Sequence, residues 1–125
     1  MTRPENRVNY TQWEVANNRD KVFGVASTTS TTTNSITVTI AAVSGKKHYI
    51  GSIVLTGTTG SGGAESLKIN KGSTTSWDEK FTVGTDTVRQ FQAVPFVGNQ
   101  GEAVSVVASA TELTAGKLYV VYYTK

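Results

Sequence analysis

Cysteine is absent from this 125-residue chain, and histidine and methionine occur once each. Without cysteine there is no disulfide framework and no thiolate metal centre. The lone His48 falls short of the two or more His or Cys ligands that a transition-metal site usually needs. Charge is sparse: 12 basic and 9 acidic residues leave a net +3, a mild excess that suits a soluble surface better than a nucleic-acid track. A nucleic-acid site would want a basic stripe interleaved with aromatics. The nearest candidate, Lys46-Lys47-His48-Tyr49, is short and opens a strand, where lysines discourage unwanted edge pairing. No apolar stretch approaches the ~20 residues that span a bilayer. Met1 to Arg7 contain no apolar run, which argues against an ordinary secretory signal. Helical periodicity is missing throughout, while glycine, serine and threonine are plentiful.

What remains is a chain of one-domain length, able to bury roughly two-thirds of its unfolded surface around a single core. From Asn34 onward it reads as short alternating strands between turn signals spaced by about 8–12 residues. Residues 34–42 place Ile36, Val38 and Ile40 on one face and Ser35, Thr37 and Thr39 on the other. Strict alternation over residues 46–57 would set Tyr49, Ile53 and Leu55 against His48, Ile50 and Val54. Residues 58–63 read as a Gly-rich hairpin loop. Leu67 and Ile69 mark a strand over 66–70, and Trp77 opens another over 77–83. A strand over 87–97 alternates Arg89, Phe91 and Ala93 with Val88, Gln90 and Gln92 and ends at an edge or bulge, because Pro95 has no N–H for a ladder. Val104, Val106 and Ala108 share a face over 102–110; residues 111–116 connect to a last strand over 117–124. The pattern predicts an all-β, antiparallel β-sandwich, jelly-roll-like or Greek-key, with a small barrel as the alternative.

Residues 1–33 read differently. Sparse apolar anchors, among them Val8, Tyr10, Trp13, Val15, Val22, Phe23 and Val25, precede the low-complexity tract Ser27 to Thr33. That tract has little apolar area to offset its ordering entropy. The division expected is therefore an extended N-terminal arm with a Ser/Thr-rich linker over 1–33, and a sandwich domain over 34–125. Tyr10, Trp13 and Phe23 are candidate interface residues, pinned either to this domain or to a neighbour. The last strand adds a second candidate surface, since Leu118, Val120 and Tyr122 fill one face and Tyr119, Val121 and Tyr123 the other. A sandwich core absorbs one of these. The expectation is that Leu118, Val120 and Tyr122 point inward, and that Tyr119, Val121 and Tyr123 point outward as an interface, the tyrosines keeping their hydroxyls wet.

The sequence offers no constellation for a reaction, and no enzyme, cofactor or metal site is expected. Gly57-Thr58-Thr59-Gly60-Ser61-Gly62-Gly63 resembles a phosphate loop only superficially, for no lysine with Ser or Thr follows and no helix succeeds it. No nucleophile elbow accompanies His48. Trp77 beside Asp78 and Glu79 is a candidate carbohydrate site, the ring stacking on a sugar and the acids bonding its hydroxyls; the competing reading makes Trp77 a core plug.

Three segments carry a family resemblance: Trp13-Glu14-Val15-Ala16-Asn17-Asn18 after a polar start, Lys47-His48-Tyr49-Ile50-Gly51-Ser52-Ile53, and the succession Phe91 to Gly98, Gly101 to Val106 and Tyr119 to Tyr123. In style they resemble the small β-sandwich structural proteins of tailed bacteriophage virions, of the capsid cement or decoration type. The resemblance covers most of residues 34–125. It implies a non-enzymatic virion protein on the capsid surface that stabilises the lattice, with the major capsid protein or other virion subunits as partners. It further implies a homo-oligomer, a trimer favoured, whose arms reach neighbours, with no membrane and no specific nucleic acid. The alternative is a carbohydrate-binding module or a tail, neck or fibre component for host attachment.

Overall fold

The computed structural model describes the backbone of residues 23–30, 34–91 and 94–125, with side chains for 34–91 and 94–125. The described residues form nine strands and no helix: β1 (Phe23–Ser30), β2 (Ser35–Ile40), β3 (His48–Gly62), β4 (Ser66–Lys71), β5 (Thr74–Glu79), β6 (Thr87–Gln90), β7 (Phe96–Val97), β8 (Val104–Ser109) and β9 (Glu112–Thr124). They make two antiparallel sheets. The first runs β1-β9-β3-β6, with β7 also on β3; the second runs β2-β8-β4-β5.

The order has a simple origin. β4 and β5 form the innermost hairpin, turning at Gly72 with φ 58°. Around it nest β3 with β6 and β7, then β2 with β8, then β1 with β9. This long folded ribbon is rolled up by two further ladders, β3 on β9 and β4 on β8. With β6 and β7 counted as one edge column, these are the eight columns of a jelly roll. The expected sandwich is therefore present.

The core lies between the sheets. Ile36, Val38 and Ile40 of β2, Leu67 and Ile69 of β4, Val104, Val106 and Ala108 of β8, and Leu118 and Val120 of β9 all point inward and are buried. Period-two alternation located each of them, because a strand's side chains alternate faces. Phe81 and Ala110, within expected strands but just past the ends of β5 and β8, and Leu113, from the expected connection, complete the core.

Several boundaries move. β3 does not stop at residue 57 but continues to Gly62, taking in the Gly-rich segment expected to be a loop. β9 likewise begins at Glu112, within the expected connection, because the two segments pair with each other through three register shifts. Gly60 has φ 127°, and a Cβ there would lie 1.7 Å from the carbonyl oxygen of Glu112. The glycines thus permit close backbone approach along a bulged ladder. β5 starts at Thr74, earlier than expected, and the strand expected over 87–97 is split into β6 and β7, with Pro95 just before β7 at the sheet edge. The ladder of β1 on β9 also reaches Ser30, so Ser27–Ser30 of the expected linker are strand. Polar β-branched residues accept such a place when a long neighbour supplies the backbone partners.

The alternation expected in the second strand is overturned by one residue. Ile50 faces Tyr122 and Ser52 faces Val121, which leaves Gly51 as an extra residue on β3. This bulge resets the parity. His48, Ile50, Ile53 and Leu55 all enter the core, while Tyr49 and Val54 lie on the outer side.

Candidate docking face

The outer sides of the two sheets differ in chemistry. The second sheet presents Ser35, Thr37 and Thr39 of β2, Ser105, Val107 and Ser109 of β8, and Lys68 and Asn70 of β4, the ordinary wet side of a sandwich. The first sheet presents an apolar stripe. Across it, Val88 of β6 faces Val54 of β3, and Val54 faces Tyr119 of β9. One step along, Ser52 faces Val121, and beyond the bulge Tyr49 faces Tyr123. Val54, Tyr119 and Val121 are half-buried, and Val88 is 49% exposed. Every described strand belongs to one of the two layers, so no third layer of described strands lies over this side.

The outward orientation expected for Tyr119, Val121 and Tyr123 is found, with a difference at Tyr123. That ring is 7% exposed rather than wet, and it stacks on Tyr49 with centroids 4.7 Å apart and planes 4° from parallel. The direct cross-strand register puts the two rings within reach. Lys117 reaches over the Tyr119 ring, its Nζ 5.0 Å from the centroid, within cation–π range. Tyr122 faces the core as expected but remains partly accessible, its ring edge-on to His48 at 6.1 Å. Tyr49, Val54 and Val88 belong to the stripe and were missed as site residues. An isolated Gly inside a strand pattern, here Gly51, is the signal that could have found the first two.

Tyr10 and Trp13 lie outside the described residues, and so does the side chain of Phe23. The backbone of Phe23 pairs with Tyr123, so β1 enters the sheet at the tyrosine-stack end of the stripe.

His48 is a cross-sheet tie. It is 1% exposed. Its Nε2–H donates to the Ala41 carbonyl at 2.7 Å, beyond the end of β2 in the other sheet, and the Thr124 hydroxyl donates to Nδ1 at 2.8 Å. Both ring nitrogens are thereby engaged, as buried polar atoms require.

The candidate carbohydrate residues do not converge. Trp77 lies opposite Ile69 on the core side of β5 and meets Phe91 edge-on at 5.6 Å, with Phe96 beyond it at 6.4 Å from Phe91. Glu79 shares that side and takes an ion pair and hydrogen bond from Arg89 of β6, which joins the two sheets across their open edge. Asp78 points the other way and accepts from the Ser66 hydroxyl at 3.0 Å. Lys71 closes the cluster over the Phe96 ring. Among the described residues no three His, Cys, Asp or Glu side chains are grouped to hold a metal ion.

Comparison with protein-family models, with curated proteins and with solved structures finds no match to this chain.

Proposed function

We propose that this chain is a non-enzymatic structural protein of a virion, a capsid cement or decoration protein that stabilises an assembled lattice through subunit contacts. The observation that carries the reading is the one-sided stripe of Tyr49, Val54, Val88, Tyr119 and Val121 on a sandwich whose other outer side is polar. Contacts between subunits favour aromatic side chains that combine area with a polar tip, and contiguous apolar surface on a small domain marks such contacts. The jelly roll hosts capsid domains among other functions, and it supports the reading by analogy of architecture alone. In this reading the first sheet's outer side and the N-terminal residues face the major capsid protein or another virion subunit, and copies act together as a homo-oligomer, a trimer by the resemblance. Repetition around a symmetry axis multiplies modest single contacts.

No observation favours the carbohydrate reading, because Trp77 and Glu79 are committed to Phe91 and Arg89. The test is co-sedimentation of purified protein with assembled capsids stripped of it, alongside its mass in solution. Saturable binding that raises the capsid's thermal stability supports the proposal. Protein that stays in the supernatant at every capsid concentration sinks it.

A further inference from the structure

Resting on the reading above, we infer that the partner covering the stripe is a protein surface of complementary charge. It offers an apolar centre to the tyrosines and valines, and carboxylates to lysines that stand at both ends of the stripe.

One end is set by a cross-strand pair. Lys47 and Lys125 exchange both backbone hydrogen bonds, each 2.9 Å. They extend the ladder of β3 on β9 as directly opposed residues, their Cα atoms about 5.5 Å apart. The next pair along is His48 and Thr124, whose side chains are joined on the core side. Alternation therefore turns both lysines to the outer side, in line with the Tyr49–Tyr123 stack. Both are exposed, as is Lys46 beside them. Like charges directly opposed weaken a sheet. Edge protection, the reason such lysines suggest in the sequence, does not apply. Lys125 pairs one side of this backbone, and on the other Gly101 donates to the Lys46 carbonyl at 2.8 Å.

Lys117 marks the other end, exposed beside Tyr119. Along β9 it lies about 27 Å from Lys125. Tyr119, Val121 and Tyr123 fill the outer side between them, and Tyr49, Ser52 and Val54 stand opposite on β3. Among the described residues of the first sheet's strands the one acid is Glu112, about 17 Å beyond Lys117. Asp86, ahead of β6, accepts the Gly57 N–H at 3.4 Å. The one ion pair among the described residues, Arg89–Glu79, involves none of these lysines.

Charge and area select the occupant. A second copy laid face to face would set lysines against lysines whichever way it turned, and like charges across an interface exclude a partner. A chain of phosphates answers the lysines but not Val54, Val88 and Val121 between them. A face of about 27 by 14 Å gives roughly 400 Å², half of the ~800 Å² that each partner of a stable complex buries. So small an apolar contact relies on the charges for steering and register.

The probe is the stripped capsid, and the variant combines Lys47→Gln with Lys117→Gln. Its binding should be about tenfold weaker than that of the wild type, while Lys47→Arg with Lys117→Arg should keep it. Lys68→Gln with Lys80→Gln removes the same charge from the side of the second sheet and should bind as the wild type does. Raising salt from about 0.05 M to about 0.5 M should weaken the wild type more than the Lys47→Gln, Lys117→Gln variant. Because Lys47→Gln relieves the opposed pair, the free variant should melt no lower than the wild type, which separates docking from folding. Wild type that binds, with the first variant binding equally, overturns the inference and leaves the virion reading standing. Equal weakening by the second-sheet variant overturns it too, since net charge alone would then act. Wild type that stays in the supernatant at every salt concentration sinks both. Tighter binding to single-stranded DNA than to capsids overturns the inference in favour of a nucleic acid.

Discussion

Ile50 and Ile53 stand three residues apart on one strand, yet both point into the core, at 0% and 1% exposure. Regular alternation would put them on opposite sides. Gly51 is the extra residue that reconciles them, and the same bulge turns Tyr49 outward onto Tyr123. Core and docking face thus depend on one irregularity. Deleting Gly51 joins Ile50 to Ser52 in an unbroken ladder that keeps His48, Ile50, Ile53 and Leu55 inward, whereas Gly51→Gly-Ala, one further residue at the bulge, slips His48 and Ile50 to the outside. The deletion protein should keep a cooperative urea transition followed by near-ultraviolet circular dichroism and the insertion protein should lose it; the reverse result counts against Gly51 as the extra residue.

Gly57 and Gly60 make a matched pair for the Gly-rich stretch. Both have positive φ, but a Cβ on Gly57 meets nothing within 4 Å, while one on Gly60 strikes the Glu112 carbonyl. Gly57→Ala should therefore cost about 1 kcal/mol, the penalty of a left-handed residue. Gly60→Ala should cost more than about 3 kcal/mol, since a backbone must also move. Equal costs in denaturant titrations would mean that this stretch is a loop, not the end of β3.

His48→Phe keeps an aromatic ring but removes both part-buried hydrogen bonds, to the Ala41 carbonyl and with the Thr124 hydroxyl. The expected loss is about 1–3 kcal/mol, the net worth of two hydrogen bonds whose partners water can partly reach. Thr124→Val in the His48→Phe background should return part of it, because one stranded hydroxyl is gone. A double-mutant cycle with no coupling would show that the Thr124 contact carries no energy.

Neighbours on β9 separate folding from docking. Val120 is fully buried, and Val120→Ser should destabilise by about 3 kcal/mol through the cavity and the buried hydroxyl. Tyr119→Ser combined with Val88→Ser, both on the outer side, should cost no more than about 1–2 kcal/mol in total while weakening capsid binding at least tenfold, or ~1.4 kcal/mol. Thermal melts and capsid co-sedimentation on the same preparations check both halves. Undiminished binding by the outer double variant would remove the stripe from the docking surface.

Arg89 and Glu79 are both partly exposed, so Glu79→Gln should cost less than about 1 kcal/mol. The loss should shrink with added salt, because screening weakens the wild-type pair. A cost of several kcal/mol that salt does not change would mark this pair as a main fastening of the open edge.

Local pattern determined much of this protein. The absence of helical period and the alternation at Ile36-Val38-Ile40, Leu67-Ile69, Val104-Val106-Ala108 and Leu118-Val120 specified an antiparallel sandwich and most of its core, because a strand that buries one face must repeat every second residue. The opposite orientation of Tyr119 and Val121 followed from the same rule. The tertiary structure decided what depends on partners distant in the chain. It turned the Gly-rich segment into strand, since only the facing Glu112–Lys117 stretch supplies its ladder. It chose the winding, by rolling β3 onto β9 and β4 onto β8. It also set the parity of β3 on either side of Gly51, and so brought Tyr49, Val54 and Val88 into the stripe beside Tyr119 and Val121. A bulge shifts every later side chain to the other face, and its place is fixed by the register of the neighbouring strand, which no local window contains.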